Sequence, residues 1–420
     1  PGFELVGAGA GGGGVLRCAL VRVEVQAAAD EGASRRRHLL LLNVHHVAFD
    51  GASTGVLLGE LGALCASLSA GRGASDAGLG SLPLQYVDYA LWQRGDALAP
   101  VLASQRAYWR SALREGELPA LELPLDFPRP AVQTFNGDAV PVRVPADVAA
   151  RLEALGRSLG GGTLFQLVLA VWAVLLCRHA GQDEVVIGSP YHGRDAAGTE
   201  GLIGYFVNVL ALHVDAPRGC GSGGSVAAVV RGTREAAAGG MRHAMLPFQA
   251  IVHELLPRRS HDASRNAVFQ AMVAWGADAD ERSAPDGDCA SEAAGPGTEV
   301  ETRSPAVGGN RVAKVEVTLF AGTSATGEIE GGVEFNTDLF ERAGVERLAS
   351  RLRALAAALS GAPSDADVWA LCVLPPREHH LVLHAFNATA VACPQLCAFA
   401  HFEAQAAGTP NAVALHCEAS

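Results

Sequence analysis

The stretch LLLLNVHHVAFDGASTGVLLGELGALCASL, residues 39–68, carries the decision about fold. Leu39 to Leu42 with Asn43 and Val44 form a nearly continuous apolar run, the pattern of a central strand covered on both faces. From Thr54 the period changes: Leu57, Leu58, Leu61, Leu64 and Leu68 recur at steps of three and four, which predicts a helix over 54–68. The residues from His45 to Ser53 therefore join a strand to a helix, where α/β folds present side chains from a rigid frame. Upstream, Ala19 to Gln26 alternates apolar and polar residues as a half-buried strand does, and 27–34 reads as a hairpin loop.

Beyond residue 68 the same two periods alternate to the end of the chain. Helices are expected at Val87–Leu98, Val101–Arg114, Val148–Leu159, Leu164–His179 and Val345–Leu359. Strands are expected at Glu184–Gly188, Val207–Val214, Val268–Ala274, Arg311–Phe320 and Ile329–Asn336. The class is α/β, with mixed sheets and flanking helices. Glycine-rich stretches at 7–14, 70–80 and 219–224 lack the Lys-Ser/Thr ending of a phosphate loop, and 276–310 reads as a mobile surface loop.

The 420 residues exceed one ordinary core, so more than one globular unit is expected. A hydrophobic share of 49% against 18% charged residues gives ample material for a buried interior. The net charge of −12 argues against binding nucleic acid or an anionic membrane surface. The run from Leu164 to Cys177 is too short to span a bilayer and suits a buried helix. The nine cysteines are odd in number and scattered, the pattern of free thiols in a reducing cytoplasm, so a cytoplasmic location is expected.

The sharpest chemical signal is His45, His46, Asp50, Gly51 and Ser53. Adjacent side chains at a strand end point opposite ways, so one histidine enters a cavity while the other packs beneath it. An imidazole exchanges protons near neutral pH without tuning, which makes it a candidate general base. Asp50 can bond nearby amides or pair with an arginine and so fix the loop. A structural histidine pair fits the same short motif equally well. A zinc site needs further ligands, none of which stands out, and a G-x-S-x-G nucleophile elbow is missing. His192, His243, His253 and His261 are isolated and read as surface residues.

Further segments, taken in order, resemble the condensation domains of nonribosomal peptide synthetases. HHVAFDG resembles their HHxxxDG signature, and LQYVDYALWQR (Leu84–Arg94) is similar to Y-x-D-[YF]-A-x-W. The end of Tyr108–Pro130 resembles L-P-x-D-x-P-R-P, and LIGYFVN (Leu202–Asn208) resembles I-G-x-F-V-N. LPFQAIVHEL (Leu246–Leu255), SRNAVFQ (Ser264–Gln270) and VEFNTDLF (Val333–Phe340) match later elements of the family. The resemblance runs from about Val15 to Leu374, and 401–415 is similar to the opening of an adenylation domain.

The resemblance implies two chloramphenicol acetyltransferase-like lobes meeting in a V, with a tunnel between them. Residues 1–80 would be the remainder of an incomplete first lobe, 81–375 the second lobe, and 376–420 a linker with the start of an adenylation domain. The implied reaction is amide formation between a donor thioester and an acceptor amine. Both would be carried on phosphopantetheine arms of upstream and downstream peptidyl carrier domains, with no cofactor or metal bound in the domain itself. His46 would be the catalytic histidine, His45 and Gly51 would support its loop, and Asp50 would be structural. Arg194 and Asn208 would line or brace the tunnel.

This sequence departs from the family pattern in several places. The family's opening R-H-E-x-L-R-T segment, a source of an arginine partner for Asp50, is absent. Ala52, Ala267, Val209 and Glu316 replace commoner residues, and His192-Gly193-Arg194 differs from the usual ANR or AGR. Alternatives on the same fold are epimerisation or ester formation. A non-catalytic docking scaffold is the alternative of a different kind, with a metal hydrolase a distant further one.

Overall fold

In the computed structural model, the described residues are 14–25, 35–255, 262–276, 289–291, 300–302, 311–390, 397–413 and 415. The chain divides into two units, Pro1–Val373 and Leu374–Ser420. In the first, β1 (Leu16–Val25) and β2 (Arg35–Val44) pair antiparallel, Leu16 opposite Val44. The β2 run is apolar on both faces, but it is not the covered central strand expected: it pairs with β1 in a two-stranded sheet, with Leu39 and Leu41 each 51% exposed on one face and Leu40 and Leu42 each 39% exposed on the other. The 27–34 loop lies outside the described residues.

The helix predicted from Thr54 begins three residues earlier, as α1 (Gly51–Ser69). Its N-cap is Asp50, whose carboxylate accepts the Ser53 amide and so satisfies one of the four unpaired N–H groups of the first turn. Among the described residues α1 is the helix long and apolar enough to cross a membrane, by length and composition. A single expected helix at 87–98 is instead α2 (Tyr86–Gln93) followed, after Gly95, by a short 3-10 turn. Pro100 then sits in the first turn of α3 (Ala99–Ala112), where its missing N–H leaves no bond unmade.

The core of this unit is a six-stranded mixed sheet. In chain order its strands are β3 (Gly137–Val144), β4 (Glu184–Tyr191), β5 (Asn208–Asp215), β6 (Ala271–Trp275), β9 (Val317–Thr323) and β10 (Ile329–Asn336). Their spatial order is β3-β10-β9-β6-β4-β5, with β6 parallel to both β4 and β9 and the remaining pairs antiparallel. Strand β3 has no counterpart among the expected strands, because Pro141 interrupts its pattern. It occupies a sheet edge, where a residue without an N–H does least harm.

Against the sheet pack α4 (Ala146–Ser158), α5 (Leu164–Ala180), α6 (Val226–Arg242) and α7 (Arg342–Ser360). Every residue of α5 from Leu167 to Cys177 is buried, so this helix is apolar all round because it is surrounded by protein. Thr163 and Gln166 cap each other's backbone at its start, and Gly181 closes it in the left-handed conformation at φ 70°. Helix α6 also escapes the periodicity reading, since Gly232, Gly239 and Gly240 dilute its apolar stripe. Gly240 is needed for packing: a Cβ there would press against the Leu212 side chain.

The loop expected near 276–310 lies outside the described residues, apart from a short antiparallel pair, β7 (Cys289–Ser291) and β8 (Val300–Thr302). In the second unit a short helix at Pro376–His380 continues into a wider turn over Leu381–Ala385, and Ala398–Gly408 forms a further helix. Phe386, Phe399 and Phe402 are exposed there.

Candidate active site

The two adjacent histidines do different work because the strand ends at Val44, leaving His45 to cap the 3-10 turn (His46–Ala48) that His46 begins. His45 keeps its place beside β1, its amide donating to the Val15 carbonyl at 2.7 Å. Its Nδ1 accepts the Val47 amide at 3.0 Å, so that nitrogen carries no proton and a neutral His45 holds its proton on Nε2. His46 is the reverse case. Its Nδ1 lies 2.5 Å from the Phe49 carbonyl oxygen, which can only accept, so Nδ1 donates. A neutral His46 therefore has its lone pair on Nε2, and the side chain is exposed.

Asp50, 1% exposed, is the hub beneath this loop. Its Oδ1 accepts the Ser53 amide at 2.9 Å, the Ser53 hydroxyl at 2.7 Å and Arg194 Nη2 at 2.8 Å. Its Oδ2 accepts the Phe206 amide at 3.0 Å. Burial on its own would push the Asp50 carboxyl up. The bonds from Ser53, Phe206 and Arg194 together outweigh it and hold the carboxyl below its ordinary value.

Of the two roles the resemblance offered Arg194, lining or bracing, its contacts fit bracing: its side chain is 9% exposed and ion-paired with Asp50. Among the described residues, this arginine partner of Asp50 comes from 144 positions downstream. Arg194 Nη1 also donates to the carbonyls of Thr199 and Leu202, both at 2.7 Å, and its guanidinium lies 4.2 Å from the Phe206 ring centre. Gly193, at φ 65°, makes the turn possible, because a Cβ there would collide with the Phe206 carbonyl.

Gly51 is the first residue of α1 and has a helical backbone. The sharp left-handed turn near the site belongs to Gly193 instead. Asn208 is not joined to the histidine loop. Its Nδ2 donates to the Ala244 and Leu246 carbonyls at 2.8 and 2.7 Å, and its Oδ1 accepts the Val209 and Phe248 amides. Three of these four bonds brace the 244–248 turn.

Two contributors, Tyr86 and Tyr205, escaped the residue-by-residue reading, and a third, Ser53, was named there without a role. Ser53 is fully buried, and its hydroxyl oxygen also accepts the Gly204 amide at 3.1 Å and Arg194 Nη2 at 3.0 Å. Tyr86 donates its hydroxyl to the Tyr205 carbonyl at 2.8 Å, and burial with the nearby Asp50 charge pushes its own deprotonation up. Tyr205 stands perpendicular to the His46 ring, centres 5.3 Å apart at 88°. For Ser53 the signal was present, three residues after an Asp N-cap; for the tyrosines it lay in the aromatic content of the α2 and 202–208 segments.

Elsewhere, Glu184, His213 and Asp215 bring possible ligand atoms within 4.8 Å of one another. Arg114 already bonds both carboxylates, at 2.7 Å to Glu184 and 3.2 Å to Asp215, and so supplies the positive charge. His243 is half-buried and not isolated: it stacks on Tyr108 with ring centres 3.9 Å apart. His261 lies outside the described residues.

With this geometry in place, sequence comparison decides the family. The family model described as the condensation domain matches residues 20–378. The chain belongs to the condensation domain family. This condensation domain is 34% identical over 383 residues to chondramide synthase of Chondromyces crocatus, covering 91% of this chain and 9% of that protein. It is 33% identical over 378 residues to malpinin synthetase of Mortierella alpina, covering 90% of this chain and 4% of that protein. The chain thus spans a small part of the curated relatives it matches. Its fold is similar to the X-domain from teicoplanin biosynthesis, with TM-score 0.68, 25% identity, and 86% of this chain and 75% of that one covered. A four-domain nonribosomal peptide synthetase bound to AMP and glycine gives TM-score 0.70 and 24% identity, covering 88% of this chain and 27% of that one. The α/β architecture expected from the alternation of helices and strands along the chain, a mixed sheet with flanking helices, is the architecture of this family.

Proposed function

We propose that this condensation domain transfers a donor acyl or peptidyl group from its thioester to the amine of an acceptor aminoacyl thioester. The observation that carries the reading is the fixed polarity of His46: Nδ1–H is committed to the Phe49 carbonyl, which leaves the exposed Nε2 as the lone-pair nitrogen. An α-amine of pKa about 8 is largely protonated at neutral pH and must lose a proton to attack. In the proposed step the acceptor ammonium first gives one proton to solvent, and the free amine nitrogen bonds to the thioester carbonyl carbon as the C–S bond breaks. His46 Nε2 takes the second proton from the newly bonded nitrogen and returns it to the departing thiolate. Asp50, Ser53 and Arg194 touch no reacting atom and hold the loop; His45 caps its turn.

The donor and acceptor are proposed to ride on phosphopantetheine arms of upstream and downstream carrier domains, with an adenylation domain beside them. The synthetase relatives support this, as does the likeness of 401–415 to an adenylation opening. We place the lobe boundary near residue 80 and propose that the first lobe is larger than the part described. The uncovered apolar faces of β1 and β2 support that, as does the 75% coverage of the teicoplanin X-domain.

The test is single-turnover amide formation by the full-length module with loaded carriers. Replacing His46 by Ala should lower the rate by about 10²–10⁴-fold, the range for losing a positioned base. An unchanged rate in the variant would remove the base assignment.

A further inference from the structure

His46 is exposed, and among the described residues its imidazole makes one hydrogen bond, from Nδ1 to Phe49. One bond fixes one nitrogen and leaves the ring free to swing about the Nδ1–carbonyl axis, which would sweep Nε2 through a cone. The second restraint on the ring is the Tyr205 ring, perpendicular to it with centres 5.3 Å apart. Tyr205 comes from a segment 159 positions distant, yet its backbone is gripped at three successive residues. The Gly204 amide donates to Ser53 Oγ, the Tyr205 carbonyl accepts the Tyr86 hydroxyl, and the Phe206 amide donates to Asp50 Oδ2. A side chain at Gly204 would collide with the Tyr86 ring, so the grip leaves no slack.

We propose that Tyr205 is a positioning residue for His46, and that the Asp50–Ser53–Arg194 network serves the reaction by delivering the Tyr205 ring to the imidazole. The network grips the 204–206 backbone, and Tyr205 transmits that rigidity to the one side chain the network does not touch. The ring does this work, since the Tyr205 hydroxyl has no hydrogen-bond partner among the described residues. This role rests on the His46 reading given above, and its test separates the two.

The full-length module is compared with its Tyr205→Leu, Tyr205→Phe, His46→Ala and His46→Ala/Tyr205→Leu variants. At saturating carrier, Tyr205→Leu should lower the single-turnover rate by about 10–100-fold, the penalty for a misdirected reactive group, with half-saturation by carrier unchanged. Tyr205→Phe should restore the rate, because the ring is retained. The double variant should be no slower than His46→Ala alone, since Tyr205 acts through His46. Additive losses in the double variant, or a Tyr205→Leu rate equal to that of the unaltered module, would overturn the proposal.

An independent readout needs no catalysis. Brief diethyl pyrocarbonate treatment followed by peptide mass spectrometry should give one adduct on His46 in the unaltered module and in Tyr205→Phe. A second adduct should appear in Tyr205→Leu, where Nδ1 leaves the Phe49 carbonyl. Should His46→Ala retain full rate, the base reading fails while the adduct pattern still decides the contact. An identical pattern in all three proteins then refutes positioning as well.

Discussion

Replacing Asp50 by Asn tests whether the buried carboxylate holds the 204–206 backbone against α1. The amide is nearly isosteric, but one of its two ends must be a donor. Oδ1 accepts three bonds and Oδ2 one, so the least damaging orientation turns the new NH2 toward the Phe206 amide, donor against donor. The Arg194 guanidinium, 9% exposed, simultaneously loses its counter-charge. Removing one partner of a buried pair costs about 3–5 kcal/mol. The three bonds retained at Oδ1 argue for the lower end, about 3 kcal/mol, or roughly a hundredfold in local opening at 1.36 kcal/mol per tenfold. Amide hydrogen exchange reads this directly, because each amide reports the opening that frees it. Protection at Phe206 and Ser53 should fall by about that hundredfold, while amides in the buried middle of α5 keep theirs. Unchanged protection at Phe206 would refute the reasoning, as would an equal loss throughout α5, which would mean the variant loosens the whole unit.

The same clamp has a defined pH range. Because the Asp50 carboxyl is held below its ordinary value of 3.8, its contribution is fully present above that pH and is lost as pH falls through the folded-state value. Phe206 protection should stay flat across neutral and mildly acidic pH and drop only in strong acid. Gly193→Ala should lower the melting temperature by an amount equivalent to at least about 1–2 kcal/mol, the cost of a left-handed alanine before any collision with Phe206 is added. The Arg129–Glu316 pair, with side chains 14% and 5% exposed, tests burial of charge. Glu316→Ala should destabilise by about 3–5 kcal/mol in thermal unfolding, and Arg129→Met combined with Glu316→Leu should recover most of the loss.

The sequence was most legible where a single period ran unbroken. Strand β10 has the bounds its pattern predicts, and α5 differs by one residue, because nothing in either segment competes with the apolar repeat. Strand β3 and α6 were hidden by Pro141 and by glycines that serve sheet-edge geometry and close helix packing, requirements that arise only in the assembled fold. In the site, the division of labour between His45 and His46 follows from the strand ending at Val44 and the 3-10 turn starting at His46, and the capping role of Asp50 follows from Ser53 three positions on. The Arg194 and Tyr205 contacts had no local trace. Each joins segments more than 140 positions apart, and pairing at that distance is set by how the sheet brings its loops together.

That separation also bears on how the protein is made. Arg194 is added to the growing chain 144 residues after Asp50. At 5–20 residues per second the histidine loop waits about 7–30 s for its counter-ion, and somewhat longer for the Phe206 amide. During that interval α1 has an unpaired carboxylate at its cap and a largely apolar surface along its length, in a nascent polypeptide still attached to the ribosome. The histidine loop therefore takes its final arrangement only after residue 206 has been added, and holdase chaperones have their best opportunity to act before that residue emerges.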